Sequence, residues 1–328
     1  MNGVNLNAFQ YDFDLTWMAF FQDGNGKTYA RYGGREDDGP ESHLTKASLV
    51  KTMSAVKRLH ARKDVKPWSA YELQPKSTFT PEQLSPMKKM MAKRKEKCIH
   101  CHDVKHAMLR ELEAANQLSK YKVFGYPSPR RLGIVLNPDE QQRVADVIMG
   151  SVAATAGIKA GDTVTSVDGQ RVLTYADFTR VMELAPERGS VAVKVLRAGG
   201  SKEFDLPLSP GWRTSPDPSW RSSTHIVGPN TGFWGKEMSW GDLKNRGLTN
   251  EDLALKVVVV WGAWAKKAGV RNGDIVVELD GIKTKKTIRQ LQTHLQMNHD
   301  FGDLVELTVL RNGKRQKITM NLPEHSED

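Results

Sequence analysis

Apolar and polar positions follow a strand period and then a helix period along the first part of the chain. Residues 15–21 form an apolar run of strand length, and 22–26 read as a turn of residues that tolerate positive φ. Residues 27–32 read as the returning strand. Leu49, Met53, Val56 and Leu59 recur at helical spacing within 48–62. Pro67, Pro75, Pro81 and Pro86 interrupt the next stretch. Helices are predicted over 86–97 and 104–119, the second with Val104, Met108, Leu112 and Ala115 on one face.

The remainder holds an internal repeat. Residues 156–169 (Ala-Gly-Ile-Lys-Ala-Gly-Asp-Thr-Val-Thr-Ser-Val-Asp-Gly) recur at 268–281 as Ala-Gly-Val-Arg-Asn-Gly-Asp-Ile-Val-Val-Glu-Leu-Asp-Gly. Each copy ends in a strand pair, 191–196 with 204–208 and 305–310 with 317–322, and each pair carries Val-Leu-Arg before a glycine turn. Such matching detail reports two copies of one domain. Between them, residues 209–241 are rich in Trp, Pro, Gly and Ser, with Trp212, Trp220, Trp234 and Trp240 read as plugs for domain edges.

Composition narrows the class. Hydrophobic residues make up 39 % and charged residues 26 % of 328, which is a globular balance with room for two or three domains. The longest apolar runs, such as 257–261, have strand length and fall far short of a membrane span. The net charge of +10 is spread along the chain, and neither zinc-finger spacing nor an RNA-recognition signature accompanies it, so nucleic acid is not expected as a partner. The one local basic run, Lys88, Lys89, Lys93, Arg94, Lys95 and Lys97, reads first as a solvated helix face and second as a dock for an acidic redox partner.

The only two cysteines lie in Cys98-Ile99-His100-Cys101-His102, which matches the Cys-x-x-Cys-His signature of c-type haem attachment. Two thiols one helical turn apart suit thioether links to two vinyl groups, and His102 then offers its imidazole to the iron as metal ligand. Zinc is the alternative, with His100 or His106 as further ligands, although no second ligand pair is present. A redox or inert thiol pair is the third reading. For the sixth iron position His60 is preferred over Met87, Met90 and Met91, since methionines at helical spacing are more often packing.

The strand–turn–strand–helix order at the start resembles the C-terminal half of a thioredoxin-like domain. Two strands and a helix bury too little to stand alone, so the natural start is expected upstream. Each repeat resembles a PDZ domain of the bacterial, permuted kind found after periplasmic trypsin-like proteases. Residues 150–157 and 262–269, the Gly-Asp strand entry and the Asp-Gly turn carry that resemblance. It implies a carboxylate-binding loop at Arg131-Leu132-Gly133-Ile134 and another at Gly232-Phe233-Trp234-Gly235, where the tryptophan departs from the pattern. The bland alternative is that the grooves are filled by the chain itself. The whole order is similar to a bacterial, planctomycete-type family of thioredoxin-like/PDZ-domain proteins and selenoproteins, on Phe13-Asp14-Leu15-Thr16-Trp17, Tyr32-Gly33-Gly34-Arg35, the cysteine motif and Ser219-Trp220-Arg221.

The expected fold is therefore α+β. It comprises a partial thioredoxin-like piece (1–66), a helical haem segment (67–128), a PDZ domain of β-sandwich or barrel-like type (129–210), and a Trp-rich connector with a second PDZ domain (211–323). The expected function is an exported haem c protein in electron transfer that binds partner C-termini through its PDZ domains. A non-catalytic PDZ scaffold with zinc or free thiols is the alternative, and a regulator or fragment related to PDZ proteases is the third. No Ser-His-Asp set stands in a protease context, and the redox Cys or selenocysteine that the resemblance implies would lie upstream, so catalysis by this chain alone is not expected. The first residues are not a signal peptide. Covalent haem attachment nonetheless implies the periplasm or cell surface.

Overall fold

The chain divides into two units, Met1–Gln117 with Phe124–Pro216, and Leu118–Val123 with Asp217–Asp328. The computed structural model describes residues 1–15, 17–36, 39–62 and 78–324. Thr16, residues 37–38, the stretch 63–77 with Pro67 and Pro75, and residues 325–328 lie outside the described residues.

In the first unit, β1 (Met18–Gln22) and β2 (Thr28–Gly33) form the expected antiparallel hairpin. Its turn is set by Asp23, whose Oδ1 accepts from the N–H groups of Asn25 (2.8 Å) and Lys27 (2.9 Å). Helix α1 (Lys46–Ala61) starts at Thr45, whose hydroxyl accepts from the Ser48 N–H at 3.0 Å. The face of α1 that is buried is polar: Ser48 and Thr52 are inside, while Met53 is exposed. The cause is Tyr32 on β2, whose hydroxyl donates to the Thr45 carbonyl (2.7 Å) and pairs with the Ser48 hydroxyl (2.8 Å), drawing the polar face inward.

Helices α2 (Ser85–Ala92) and α3 (Cys101–Ala114) pack with Leu6, Tyr11, Phe13 and Ile99 in a small apolar cluster. The first of these stops before most of the basic run, and the second begins on the cysteine motif itself. Arg94 of that run reaches Asp103, fully buried in the first turn of α3, through two bonds of 2.7 and 2.6 Å. That residue therefore anchors the start of α3, although its side chain stays 37 % exposed.

The first repeat copy follows as β3 (Ile134–Leu136), β4 (Val144–Val147), α4 (Val152–Ala156), β5 (Thr163–Val167), β6 (Gln170–Arg171), α5 (Tyr175–Leu184), β7 (Gly189–Arg197) and β8 (Gly200–Leu208). β3 pairs only with β4, and the main sheet runs β6-β5-β7-β8. Ile134, Val164, Phe178, Val193 and Leu206 are fully enclosed in its core.

In the second unit the other copy runs β9 (Phe233–Glu237), α6 (Trp240–Lys244), β10 (Leu255–Val260), α7 (Ala263–Ala268), β11 (Ile275–Leu279), α8 (Ile288–Asn298), β12 (Leu304–Arg311) and β13 (Lys314–Asn321). Its sheet is continuous, in the order β13-β12-β11-β10-β9, around Phe233, Leu255, Val276, Leu291 and Leu307.

One interaction explains much of the repeated motif. Asp162 accepts from the Lys159 N–H and grips Arg197 with two bonds of 2.6 Å, while Arg197 also donates to the Gly157 carbonyl. Asp274 accepts from the Arg271 N–H and holds Arg311 with two bonds of 2.7 Å, while Arg311 donates to the Gly269 carbonyl. The Ala-Gly, Gly-Asp and Val-Leu-Arg elements, spaced far apart in sequence, are thus one bidentate pair tied to a helix C-cap.

Candidate peptide-binding site

PDZ-type recognition needs a free strand edge, a flanking helix and a loop of N–H groups at the strand's head. Each copy contains these parts. β3 and β9 are both terminal strands of their sheets. A glycine in the left-handed region heads each one, Gly133 at φ 92 and Gly232 at φ 70. The carbonyl of Gly133 accepts from the Ile148 N–H (2.9 Å), and that of Gly232 accepts from Trp261 (3.0 Å) and Gly262 (2.9 Å). In both copies an exposed apolar rim stands beside the loop: Ile148 and Met149 in the first, Val259 and Trp261 in the second.

The first loop lies where expected. Arg131 and Leu132 close a 3-10 turn (Pro129–Leu132), and Ile134 begins β3. In the second copy the matching left-handed glycine moves the loop two residues earlier than the sequence reading. The equivalent of Arg131–Ile134 is Asn230-Thr231-Gly232-Phe233, while Trp234 and Gly235 are strand residues within β9. A strand residue there pairs with β10, Trp234 opposite Val259 and Gly235 opposite Val257, and has no place in the loop.

The two loops differ in what holds them. In the second, Asn230 Oδ1 accepts from the Gly232 N–H at 2.8 Å, and Thr231 Oγ1 accepts from Phe233 N–H at 3.4 Å. The indole of Trp264 lies against Gly232: a Cβ added there would sit 2.7 Å from Trp264 Nε1. That buried Nε1 has no hydrogen-bond partner among the described residues. Buried donors are almost always paired, so this one is an exception within the second copy.

In the first copy the chain's own N-terminal region packs on the turn before β3 and on the first turn of α5. Glu36 accepts from the Ser128 hydroxyl and from Arg130 Nε (3.1 Å) at the loop. On α5, the Arg31 N–H donates to Asp177 (2.9 Å), Thr174 Oγ1 donates to the Arg31 carbonyl (2.5 Å), and the His43 ring stacks on Tyr175 at 3.6 Å. Gly34 approaches the Tyr175 ring so closely that a Cβ would lie 2.5 Å from it. None of these contacts was legible in sequence, because the partners lie far apart along the chain.

At the cysteine motif, Cys98 is exposed, and Cys101 opens α3 with its Sγ accepting from the Tyr11 hydroxyl at 2.9 Å. Burial and that bond push the Tyr11 hydroxyl up from its ordinary range. His102 Nε2 is 3.6 Å from Asp103 Oδ1, and its ring lies near those of His100 and His106. His60 is on α1, where its Nδ1 meets the Tyr29 hydroxyl at 3.0 Å. Among the described residues the cysteine motif does not assemble three convergent metal-ligand atoms; the group that does is Asp280, His294 and His299.

A PDZ-domain family profile matches residues 143–197, and a second matches 246–322. Two PDZ domains are therefore present in this chain. Among curated proteins it is similar to the periplasmic pH-dependent serine endoprotease DegQ of Escherichia coli, 28 % identical over 135 residues, covering 41 % of this chain and 27 % of that protein. It is also similar to a periplasmic serine endoprotease, DegP-like, of Pseudomonas putida, 25 % identical over 193 residues, covering 55 % of this chain and 38 % of the relative. The chain thus spans well under half the length of these relatives. A solved structure of the HtrA-type protease AlgW with a tripeptide aligns at 14 % identity and a TM-score of 0.29, covering 51 % of this chain and 55 % of that one; that score is too low to bear on the fold.

These relatives correct one expectation. They are periplasmic serine endoproteases, not haem or thioredoxin-like proteins, and this overturns the reading of the chain as a haem-bearing electron-transfer protein. The motif that prompted it is a short five-residue match whose second thiol is held by Tyr11 at the edge of an apolar cluster. What stands in its place is two PDZ domains and a partial similarity to periplasmic serine endoproteases.

Proposed function

We propose that this chain is a PDZ peptide-recognition protein of the cell envelope, in which the second copy captures protein C-termini and the first is engaged by the chain's own N-terminal region. The observation that carries this reading is the buried, unpartnered Trp264 N–H beside Gly232, at the head of the terminal strand β9. A terminal carboxylate there accepts from that indole and from the Gly232 N–H, now held by Asn230, while the peptide adds to β9. The apolar rim of Val259 and Trp261 suits an apolar last side chain. The periplasmic relatives support an envelope location, and no helix among the described residues is long and apolar enough to cross a membrane.

Fluorescence polarisation with labelled peptides ending in an apolar residue tests this. Binding is expected for the free carboxylate and not for the C-terminal amide. Gly232→Ala is expected to abolish it, since the new Cβ meets Trp264. Asn230→Ala, which frees the Gly232 N–H without touching the core, is expected to tighten it about threefold to tenfold. Equal binding of acid and amide, or loss on Gly133→Ala with Gly232→Ala unaffected, would overturn the assignment to the second copy.

A cofactor on the cysteine motif is a separate proposal about Cys98, Cys101 and His102, with haem c first and zinc as its alternative. Cys98 is exposed just before α3 and His102 is part-exposed in its first turn, so both are open to a bound group. A pyridine haemochrome spectrum and a zinc assay on the exported protein test it, with Cys98→Ala and Cys101→Ala as controls. A covalent haem signal lost in both variants would establish haem c as a bound group without restoring the electron-transfer reading. Its absence in cells that mature a known cytochrome c removes haem, and bound zinc lost in the same variants puts zinc in its place.

A further inference from the structure

An Asp-Gly turn follows β5 in the first copy and β11 in the second, yet its aspartate is used differently in each. In the first copy Asp168, at φ 45, accepts from the Ala192 N–H (2.7 Å) and closes the turn. In the second copy Asp280, at φ 50, directs Oδ2 at two imidazoles, His294 Nε2 at 2.6 Å and His299 Nε2 at 2.8 Å. His294 lies on α8 and His299 is its C-cap. Counting from the N-cap threonines Thr174 and Thr287, the same positions in the first copy are Val181 and Pro186. The turn and the helix fold without these histidines, so the pair is an addition specific to the second copy.

All three ligand atoms lie within 4.8 Å of one another, and each residue is partly buried. Behind the pair stand polar groups that orient the rings. His299 Nδ1 is 3.5 Å from Asp303 Oδ2, and His294 Nδ1 is 3.1 Å from the Asn298 side-chain amide. The Asp303 carboxylate beside His299 Nδ1 favours a proton there and turns that ring's Nε2 lone pair outward, the arrangement that supports histidine ligands in metal sites, whereas the Asn298 amide N–H facing His294 Nδ1 must swing away before that ring takes the same tautomer. Two imidazoles and one carboxylate form a borderline donor set that favours a divalent transition cation over magnesium or calcium.

We propose that Asp280, His294 and His299 bind a divalent transition cation, with zinc the best match, stapling the turn after β11 to the C-terminal end of α8. Three protein ligands leave a fourth position for water. To bind the cation each Nε2 must present its lone pair: a neutral ring then carries its single proton on Nδ1, and a ring that starts as imidazolium releases one proton to solvent.

The test is isothermal calorimetry of zinc into the full chain carrying Cys98→Ser and Cys101→Ser, which removes the thiols as competing ligands. One zinc per chain is expected, with a rise in melting temperature. His294→Gln and His299→Gln keep a donor for Asp280 but offer no imidazole, and each is expected to weaken binding about tenfold or more with the zinc-free melting temperature nearly unchanged. Asp303→Asn is expected to weaken it by a smaller factor. Calcium and magnesium are expected not to compete. No zinc uptake by the thiol-free chain, or uptake unchanged in both glutamine variants, would sink the proposal and leave a hydrogen-bonded cluster only.

Discussion

Replacing Asp274 by alanine is expected to cost about 3–5 kcal/mol of stability, because it strands the Arg311 guanidinium in a partly buried site without its anion. Asp274 is almost fully enclosed, its side chain only 2 % exposed, while Arg311 is 18 % exposed. The same change removes the acceptor for the Arg271 N–H and so loosens the turn into β11. Asp162→Ala should do the same to the first copy, where the side chain is 1 % exposed and Arg197 is 21 % exposed. Burial alone would raise the Asp162 carboxyl, but the bonds from Arg197 and the Lys159 N–H outweigh it and hold it below the ordinary range. Urea unfolding of the single variants and of Asp274→Ala with Arg311→Ala measures this. The double variant is expected to lose less than the sum of the singles, as fits a coupled pair. A loss under 1 kcal/mol for both single aspartate variants would show that these pairs do not hold the copies together.

The first unit is expected to be most stable in mildly acidic solution, from two buried carboxylates that pull in opposite directions. Asp177 is fully enclosed on α5, and burial raises it to about 6 despite the N–H bonds from Arg31 and Leu173. Its folded value exceeds the ordinary 3.8, so the folded state binds more protons between the two values. Stability therefore rises as pH falls from about 6 towards 4. Glu36 is the reverse case. Burial would raise it, but His43, the Ser128 hydroxyl and Arg130 outweigh that and lower it to about 2. Its contribution is present above 4.5 and is lost as pH falls towards 2. Each of the two contributions is about 3 kcal/mol over its full window. Thermal unfolding across pH 3 to 8 is expected to show a maximum at about 4, with Asp177→Asn flattening the rise from 6 and Glu36→Gln flattening the acid fall. A profile unchanged by either variant would show that neither carboxylate controls it.

Several elements could be read directly because their causes are local. The hairpin of β1 and β2 follows from an apolar run and an Asp-Gly-Asn-Gly turn whose aspartate bonds the N–H groups two and four residues on. The repeat was legible because its glycines occupy left-handed positions that no side chain suits: Gly157 and Gly269 end α4 and α7 at φ 96 and 94, and Gly161 and Gly273 both sit at φ 90. The same identity made the first loop at Gly133 readable. In the second copy Gly-Phe-Trp-Gly offered two glycines, and only strand pairing shows that Gly232 turns the chain while Gly235 lies in β9.

Other features depend on which distant groups meet. The apolar stripe of α1 was regular, yet the inner face is the polar one, because Tyr32 arrives with a hydroxyl that needs partners. Arg94 lay in a basic run that read as solvated until Asp103 was brought beside it. The function suggested by five residues around Cys98 was overturned by relationships carried by the repeats. By itself, the sequence determined the two PDZ copies, the hairpin and the places where the backbone must turn left-handed, since period and φ act over a few neighbouring residues. Only the tertiary structure decided that the N-terminal region packs on the first loop and the start of α5, that Trp264 holds an unpaired N–H at the second loop, and that two histidines share Asp280. Those are encounters between residues far apart along the chain, and their energies arise only once packing removes the water between them.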